Sequence, residues 1–390
     1  MTCSLLLADG SLSGNHVLYV LQIPEKYDDL RSTLEGLVED CARLTSITVK
    51  GKTYTLEYVL VTDLKFLNVL LGLQACSAKY SCAWCTCSAE ERWDTTLKWS
   101  QSDKKFGART IDDINKFCKR KKDKFGCVNE PIFQSISIQN CIPDVLHLFL
   151  RISDQLVNQL IAELRSLDNL SKNVRDFNRS KAKNITAFED YISSVGIKWK
   201  FYVDKARGTI SCRDFTGPEH VTIQNTINLD KLIPGHPKLC NISLLWQNFG
   251  SIMGIIKSEN VVDVESLSVK CKEWVQLYVR TYQAKDVTPY MHVLMYHVPE
   301  AIRIHGDINI FSQQGMEKMN DSVTSWYFRS SNHNGIDALQ QVMMKQNRLE
   351  YLGVTCQRDV KFTVTCSVCL TDGHNKRTCK KNRASDDLQS

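Results

Sequence analysis

Four potential zinc ligands lie close together near the end of the sequence. Cys366, Cys369, His374 and Cys379 follow the pattern Cys-X2-Cys-X4-His-X4-Cys. Three thiolates and one imidazole satisfy tetrahedral zinc, and a segment of about fourteen residues can fold around such an ion with almost no core of its own. The spacing therefore predicts a zinc knuckle at residues 366–379. The alternative, unrelated side chains in a flexible tail, requires four ligands to match by coincidence.

The charge around the predicted knuckle indicates its partner. Five Lys or Arg residues lie between Lys376 and Arg383, and their side chains suit phosphate groups. Zinc knuckles commonly contact single-stranded or exposed nucleic acid. We therefore expect the knuckle to bind nucleic acid, with a protein partner as the alternative. Residues 351–365 are predicted to be a linker, and residues 380–390 a basic and then acidic tail.

A second cysteine pair, Cys82-X2-Cys85, needs two further ligands to complete a zinc site. One source of ligands is local, because Cys76 and Cys87 flank the pair on either side. A Cys-X2-Cys pair alone is weak evidence in a chain with 16 cysteines, since some such pairs arise by chance. The local pattern leaves the metal site open.

The other source of ligands is distant in the sequence. His292-X4-His297 lies in the stretch PYMHVLMYHVPE, and a five-residue step lets both imidazoles converge near a helix end. Considered alone, these two histidines are more simply ordinary core or surface residues. Both alternatives for the second zinc site therefore remain open at this point.

Two carboxylates, Asp63 and Glu317, are candidate site residues with weak individual signals. Asp63 closes a predicted buried strand, where α/β nucleases and transferases place a metal-binding carboxylate; the simpler interpretation is an N-cap for the following helix. Glu317 lies in a predicted helix that Ser312 could cap, on a polar face shared with Asp321. Its simpler interpretation is an exposed helical glutamate.

Composition bounds the class of protein. The chain has 390 residues, of which 43% are hydrophobic, enough to bury the cores of two to three domains. We find no apolar run of roughly 18 residues and no signal-peptide pattern, so we expect a soluble intracellular protein without membrane contact. In a reducing compartment, cysteines serve more readily as metal ligands than as disulfides. The net charge of +6 permits a nucleic-acid partner without requiring one.

The hydrophobic pattern predicts an α/β beginning followed by a long helical region. Residues 16–23 read as a buried strand, residues 25–44 as helix, and the next β-branched runs as a hairpin turning at Lys50, Gly51 and Lys52. From about residue 142 to 290 the pattern is mostly helical, with Trp246 and Trp274 assigned to the core.

A strongly basic segment lies between these two regions. Residues 103–124 contain nine Lys or Arg and four Asp, a local charge of +5. The simpler interpretation is a solvated loop and helix face, and the alternative is a surface that contacts the phosphates of a nucleic acid.

The candidate residues also occur in a particular order along the chain: Asp63, Cys82, Cys85, a long helical stretch, His292, His297 and Glu317. About 20 residues separate Asp63 from Cys82, and about 20 separate His297 from Glu317. This order and spacing resemble the catalytic core of the RAG recombinase and its Transib-type DDE transposase relatives. The resemblance covers about residues 15 to 335, and some of these relatives also carry a zinc-knuckle tail.

The resemblance implies an α/β plus α fold, in which an RNase H-like core is interrupted by a large helical insertion domain and followed by the knuckle. Residues 1–95 would begin the core with the CxxC pair, residues 96–288 would form the insertion, and residues 289–350 would complete the core. Asp63 and Glu317 would be the second and third catalytic acids.

The same resemblance implies the cofactors and partners. Cys82, Cys85, His292 and His297 would hold a structural zinc ion, in addition to the zinc of the knuckle. Mg²⁺ or Mn²⁺ would bind the catalytic acids. The implied reaction is DNA strand cleavage and transfer, by a protein that is nuclear and homodimeric.

One departure from the family pattern affects the expected activity. By the resemblance, residues 16–23 form the third strand of the core, so the first catalytic Asp would lie upstream. Asp9 is the only earlier carboxylate and lies too close to the next strand. We expect either an incomplete transposase or a catalytically inactive, transposon-derived nucleic-acid-binding protein. A zinc-stabilised interaction module is a third alternative.

The role of Asp144 and His147 has two interpretations. These residues either line the surface along which DNA would bind or cap a helix, and we favour capping.

Overall fold

Helices account for most of the regular structure, which combines them with four short two-stranded sheets among the described residues. The described structure is therefore mixed helix and sheet, as the predicted α/β plus α class requires, and the RNase H-like core stays a prediction. The structure is a computed structural model that describes residues 2–6, 15–21, 23–170, 182–204, 209–258, 260–332 and 335–355. The predicted knuckle at residues 366–379 and Asp9 lie outside the described residues.

The first part of the chain combines strands and helices, as predicted, although β1 was not predicted and the helix predicted over residues 25–44 is two helices. Its elements are β1 (Thr2–Leu6), β2 (Asn15–Val20), α1 (Tyr27–Thr33), α2 (Glu35–Arg43), β3 (Ser46–Val49), β4 (Lys52–Thr55), β5 (Leu60–Thr62) and α3 (Leu64–Leu70). β1 pairs antiparallel with β2, and β3 with β4. The β3–β4 turn has positive φ at Lys50 and Gly51, the conformation that a two-residue hairpin requires.

The rest of the described chain is mainly helical. Its elements are α4 (Ile111–Cys118), β6 (Cys141–Pro143), α5 (Val145–Leu167), α6 (Lys183–Ser194), β7 (Tyr202–Asp204), β8 (Thr209–Ser211), α7 (Gly217–Thr226), α8 (Leu229–Leu232), α9 (Leu239–Ile256), α10 (Val264–Thr281), α11 (Pro289–His292), α12 (Val298–His305), α13 (Gln314–Ser330) and α14 (Gly335–Thr355). A π-helical segment, Val293–His297, joins α11 to α12. This confirms the mostly helical interpretation of the central region.

One pair of strands aligns the starts of two helices. β5 and β6 run parallel, with Leu60 opposite Cys141 and Thr62 opposite Pro143. Asp63 follows β5 directly and Asp144 follows β6 directly, and each caps the helix that comes next. Because parallel strands end at the same edge of a sheet, the two carboxylates emerge side by side. This edge is the structural basis of the carboxylate cluster described below.

The core of the helical region lies between α5, α9 and α10. Trp246 and Trp274 are almost completely buried, which confirms their assignment to the core, and the indole N–H of Trp274 donates to the carbonyl of Leu245. Phe149 of α5 stacks on Phe249 of α9 at 6.1 Å between ring centroids. These aromatic contacts fix the packing of the three helices.

Helix α9 also corrects one expectation from the sequence. Its 18 residues have a mean hydropathy of 1.3, and among the described helices it alone is long and apolar enough to cross a membrane by length and composition. The sequence analysis found no such run, because the polar residues Asn241 and Gln247 interrupt it. The buried side of α9 packs in the helical core, as a core helix of this composition does.

The described residues form two compact units that divide between Ser322 and Val323, within α13. The first unit contains Asp63, Cys82, Cys85, His292, His297 and Glu317. In the second unit, Lys345 of α14 lies 5.5 Å from the centre of the Trp326 ring. The sequence-based boundaries at residues 95 and 288 stay predictions.

Candidate metal centre and adjacent carboxylates

Cys82, Cys85, His292 and His297 come together in the first unit. Their ligand atoms all lie within 4.8 Å of one another, and all four side chains are buried. The Sγ of Cys82 is 3.2 Å from Nε2 of His297, and the Sγ of Cys85 is 3.3 Å from Nε2 of His292. Zinc bonds of about 2.0 to 2.3 Å place tetrahedral ligands roughly 3.3 to 3.8 Å apart. The group can therefore hold a metal ion such as zinc.

The two histidines converge because the helix between them is widened. In a regular α-helix, side chains five residues apart point about 140° away from each other. Here the amide of Val298 donates to the carbonyl of Val293, an i to i+5 bond, and residues 293–297 are π-helical. The wider turn brings His292 and His297 onto one side, where their Nε2 atoms are 3.2 Å apart. Single π turns of this kind are frequent at functional sites.

A buried arginine holds the loop that carries the two cysteines. The Nε of Arg109 donates to the carbonyls of Cys82 (3.0 Å) and Cys85 (2.9 Å), while its Nη2 donates to the carbonyl of Phe125 (2.7 Å). Its own backbone N–H donates to the carbonyl of Trp84. Arg109 thus fixes the backbone of the loop that carries both sulfurs. Sequence reasoning missed this role, because Arg109 reads only as one more cation of the basic segment.

Aromatic packing fixes the imidazole rings. Trp84 stacks on His297 with 5.4 Å between ring centroids, and its indole N–H donates to the carbonyl of Cys141. The Nδ1 atoms of His292 and His297 are buried and have no hydrogen-bond partner within the described part of the chain. Because both Nε2 atoms face the sulfurs, Nε2 is the ligand atom of each ring. Packing, and not a second hydrogen bond, sets the ring orientation.

The electrostatics of the cluster favour one thiolate. Burial by itself raises the pKa of the Cys82 thiol, but the hydrogen bond from Cys85 and the charges of His297 and His292 outweigh it and lower that pKa well below its usual value. Burial and the Cys82 thiolate raise the pKa of Cys85. A metal ligand must be deprotonated, so zinc binding releases a proton from Cys85.

The local alternative for the second zinc site finds no support. Cys87 is buried, and its thiol contacts the carbonyl of Ser88. Cys76 lies 3.7 Å from the side-chain amide of Asn68, and burial raises its pKa to about 11. Neither cysteine belongs to the group of four ligands. The structure thus favours the distant histidine pair.

Asp63 and Asp144 cap helices, as the simpler interpretation of each residue predicts. Asp63 accepts a hydrogen bond of 2.7 Å from the amide of Phe66. Asp144 accepts from the amide of His147 at 2.9 Å, and its other oxygen accepts from the amide of Gln313 at 2.8 Å. The contact with Gln313 is not predictable from sequence. It fixes the start of α13, the helix that carries Glu317.

His147 lies between the acids. Its Nδ1 is 2.6 Å from Asp144, and its Nε2 is 4.0 Å from a carboxylate oxygen of Glu317. Burial lowers the pKa of His147, but the negative charges of Asp144, Asp63 and Glu317 outweigh it, so the pKa is raised above its usual value. The structure therefore brings Glu317 close to the His147 imidazole, on which the charge of Asp63 also acts. Within the described residues, these acids do not form a group of three or more metal ligands.

A tyrosine links the acids to the metal centre. The hydroxyl of Tyr290, two residues before His292, accepts a 3.3 Å hydrogen bond from the amide of Leu64, next to Asp63. The side chain of Gln313 adds a second link, because it donates to the carbonyl of Val61 in β5. Sequence analysis missed both residues, and only the position of Tyr290 beside a candidate ligand could have drawn attention to it.

We predict that Asp144→Asn lowers the pKa of His147. The Asp144 carboxylate is the largest influence that raises this pKa, so its loss leaves the opposing effect of burial. A pKa raised on folding stabilises the protein below the unfolded value near 6.5 and loses that effect as pH rises through the folded value. In an NMR titration of the variant, the midpoint for the His147 ring should therefore move to lower pH. The increase in the free energy of unfolding on acidification should also become smaller. An unchanged titration would contradict the contact.

The sequence matches no protein-family model, and no curated protein matches it significantly.

Proposed function

We propose that the chain is the core of a DNA transposase or recombinase like those of the RAG and Transib family. In this proposal an RNase H-like core, interrupted by a helical insertion, binds Mg²⁺ or Mn²⁺ at Asp63 and Glu317 and catalyses DNA strand cleavage and transfer. The observation that carries the proposal is the position of these two acids. They are more than 250 residues apart in sequence, yet Asp63 follows β5 beside Asp144, the partner of His147, and Glu317 lies 4.0 Å from the same His147 ring.

The topology around Asp63 supports this role. Asp63 stands at the carboxyl end of β5, beside the parallel strand β6, where α/β enzymes commonly bind ligands. Carboxylate oxygens are the ligands that Mg²⁺ and Mn²⁺ prefer. Two such ions can activate a water molecule or a 3′-hydroxyl group and stabilise the oxygen that leaves phosphorus. In such a reaction, Asp63 and Glu317 would hold the metal ions through their carboxylate oxygens.

The metal centre has a structural part in this proposal. It joins the loop of Cys82 and Cys85 to helices more than 200 residues later in the chain. Tyr290 extends this connection to the helix that Asp63 caps. Zinc would therefore help to keep the part of the chain that carries Asp63 in a fixed position relative to the part that carries Glu317. Joining two DNA ends needs two such cores, so we include homodimerisation and a nuclear location in the proposal.

An alternative function is a catalytically inactive nucleic-acid-binding zinc protein of transposon origin. The geometry that favours it is the use of the acids for structure, since Asp63 caps α3 and Asp144 caps α5. The zinc centre and the basic segment serve both functions equally.

Strand cleavage separates the two functions. The longest polypeptide that the gene encodes would be incubated with supercoiled plasmid, with Mn²⁺ or with EDTA. A transposase core converts the plasmid to nicked and linear forms only with the divalent ion, whereas the inactive alternative binds the plasmid and leaves it supercoiled. DNA binding without any cleavage would refute the enzymatic proposal and support the alternative. Failure to bind DNA would refute both.

A further inference from the structure

Five exposed cations lie within seven residues at the end of α4 and in the turn that follows it: Lys116, Lys119, Arg120, Lys121 and Lys122, which together we call the basic turn. No acidic residue interrupts the run between Lys116 and Lys122. Lys119 forms an ion pair with Glu130 at 2.8 Å. Among the described residues, no ion pair neutralises the other four cations. The turn is therefore a concentrated positive surface.

The charge of this surface exceeds what the fold requires. Cations near the last turn of a helix stabilise it by interacting with the helix dipole, and Lys116 serves that purpose in α4. Lys119 is accounted for by its ion pair. Arg120, Lys121 and Lys122 lie beyond the helix, and the dipole effect falls off within the last turn. Like charges placed side by side repel one another, so these three cations are a local cost to stability.

The basic turn is held in a defined position. Arg120 lies over the ring of Phe117 at 4.4 Å, and Phe117 packs against Phe125 with 5.4 Å between centroids. Phe125 in turn packs against Tyr80 at 5.5 Å. Gly126 closes the turn with φ near +82°, and a Cβ at this position would lie 2.1 Å from the carbonyl oxygen of Tyr80. The aromatic contacts and this tight approach anchor the charges.

The aromatic residues that anchor the basic turn are connected to the metal centre by hydrogen bonds. Arg109 donates to the carbonyls of Cys82 and Cys85 and also to the carbonyl of Phe125. One guanidinium group thus ties the cysteine loop to Phe125, three residues after the basic turn. The cations are therefore presented from the part of the fold that the Cys82, Cys85, His292 and His297 group organises.

We infer that the basic turn is a contact surface for the phosphate backbone of duplex DNA. The inference rests on the proposed function, which it deepens by locating part of the DNA interface. A row of exposed Lys and Arg side chains suits a polyanion with regularly repeated charges, and backbone contacts of this kind position a protein on DNA without reading its sequence. The binding they contribute is therefore independent of sequence and weakened by salt.

The test neutralises the turn and measures the salt dependence of binding. The variant is Arg120→Gln with Lys121→Gln and Lys122→Gln in the full chain. The matched control, Lys26→Gln with Lys50→Gln and Lys231→Gln, removes the same net charge from exposed positions elsewhere. Binding to a fluorescent 30-base-pair duplex of arbitrary sequence would be followed by anisotropy from 50 to 200 mM salt. Circular dichroism would confirm that each variant is folded.

The inference predicts a change in slope. Each lost phosphate contact makes the slope of log K against log salt shallower by about 0.9, so we expect a change of roughly 1 to 3 for the basic-turn variant and a smaller change for the control. Wild-type binding with equal slopes in the two variants would overturn the inference and leave the proposed function standing. Absence of any salt-dependent binding by the wild-type protein would overturn both.

Discussion

Replacing Cys82 with Ser is expected to remove one zinc ion and to destabilise the first unit strongly. Cys82 has the most acidic thiol of the cluster and contacts His297 directly. A ligand that binds only the folded state stabilises it by about 4 kcal/mol when its free concentration is 1,000 times its dissociation constant. We therefore expect the free energy of unfolding in zinc buffer to fall by about 4 kcal/mol. Denaturant unfolding and metal analysis of the purified protein measure the two effects.

Cys87→Ser is the matched control for this experiment. Cys87 is also buried and lies five residues further on, but its thiol contacts the carbonyl of Ser88 and not the histidines. We expect this variant to keep its full zinc content. His297→Ala should behave like Cys82→Ser, because it removes a ligand from the other side of the same group. Loss of zinc from Cys87→Ser, with zinc retained in Cys82→Ser, would restore the local alternative.

The zinc content also tests the predicted knuckle. The sequence predicts a second ion at residues 366–379, so the wild-type protein should contain two zinc ions per chain. Cys379→Ser should lose one of them with little effect on the unfolding of the first unit, because the knuckle needs no core of its own. A wild-type content of one ion that disappears only with Cys379→Ser would contradict zinc at the Cys82 group.

Glu317→Gln is expected to abolish Mn²⁺-dependent DNA cleavage in the proposed enzyme while preserving DNA binding. The amide keeps the size of the side chain but removes the charge that would hold the metal ion. We expect the cleavage rate to fall at least about a hundredfold, equivalent to about 2.7 kcal/mol in the activation free energy. Plasmid nicking measures the rate, and anisotropy with labelled duplex measures binding.

Asp321→Asn is the control for Glu317. Asp321 lies one helical turn further along α13 and is exposed, so the substitution removes the same charge from the same helix. This variant should cleave at nearly the wild-type rate. If Glu317→Gln cleaves normally and Asp321→Asn does not, Asp321 is the metal ligand and the assignment of Glu317 is wrong.

Local features of the fold were predictable from the sequence. The hairpin turn at Lys50 and Gly51, the N-caps Asp63 and Asp144, and the buried tryptophans all appear in the structure where the pattern places them. Each of these features depends on neighbours within about four residues, or on hydrophobic periodicity. The cysteine content likewise pointed to thiolate metal ligands, because cysteines in a reducing compartment rarely form disulfides.

The tertiary structure decided which of these residues meet. The sequence left two sources of ligands for the Cys82 and Cys85 pair, and the structure joins the pair to histidines more than 200 residues away through a π-helical turn. Arg109, Tyr290 and Gln313 connect the site by hydrogen bonds to residues far along the chain. Such contacts leave no periodic pattern in the sequence, because they depend on how distant elements pack and not on the spacing of neighbouring residues.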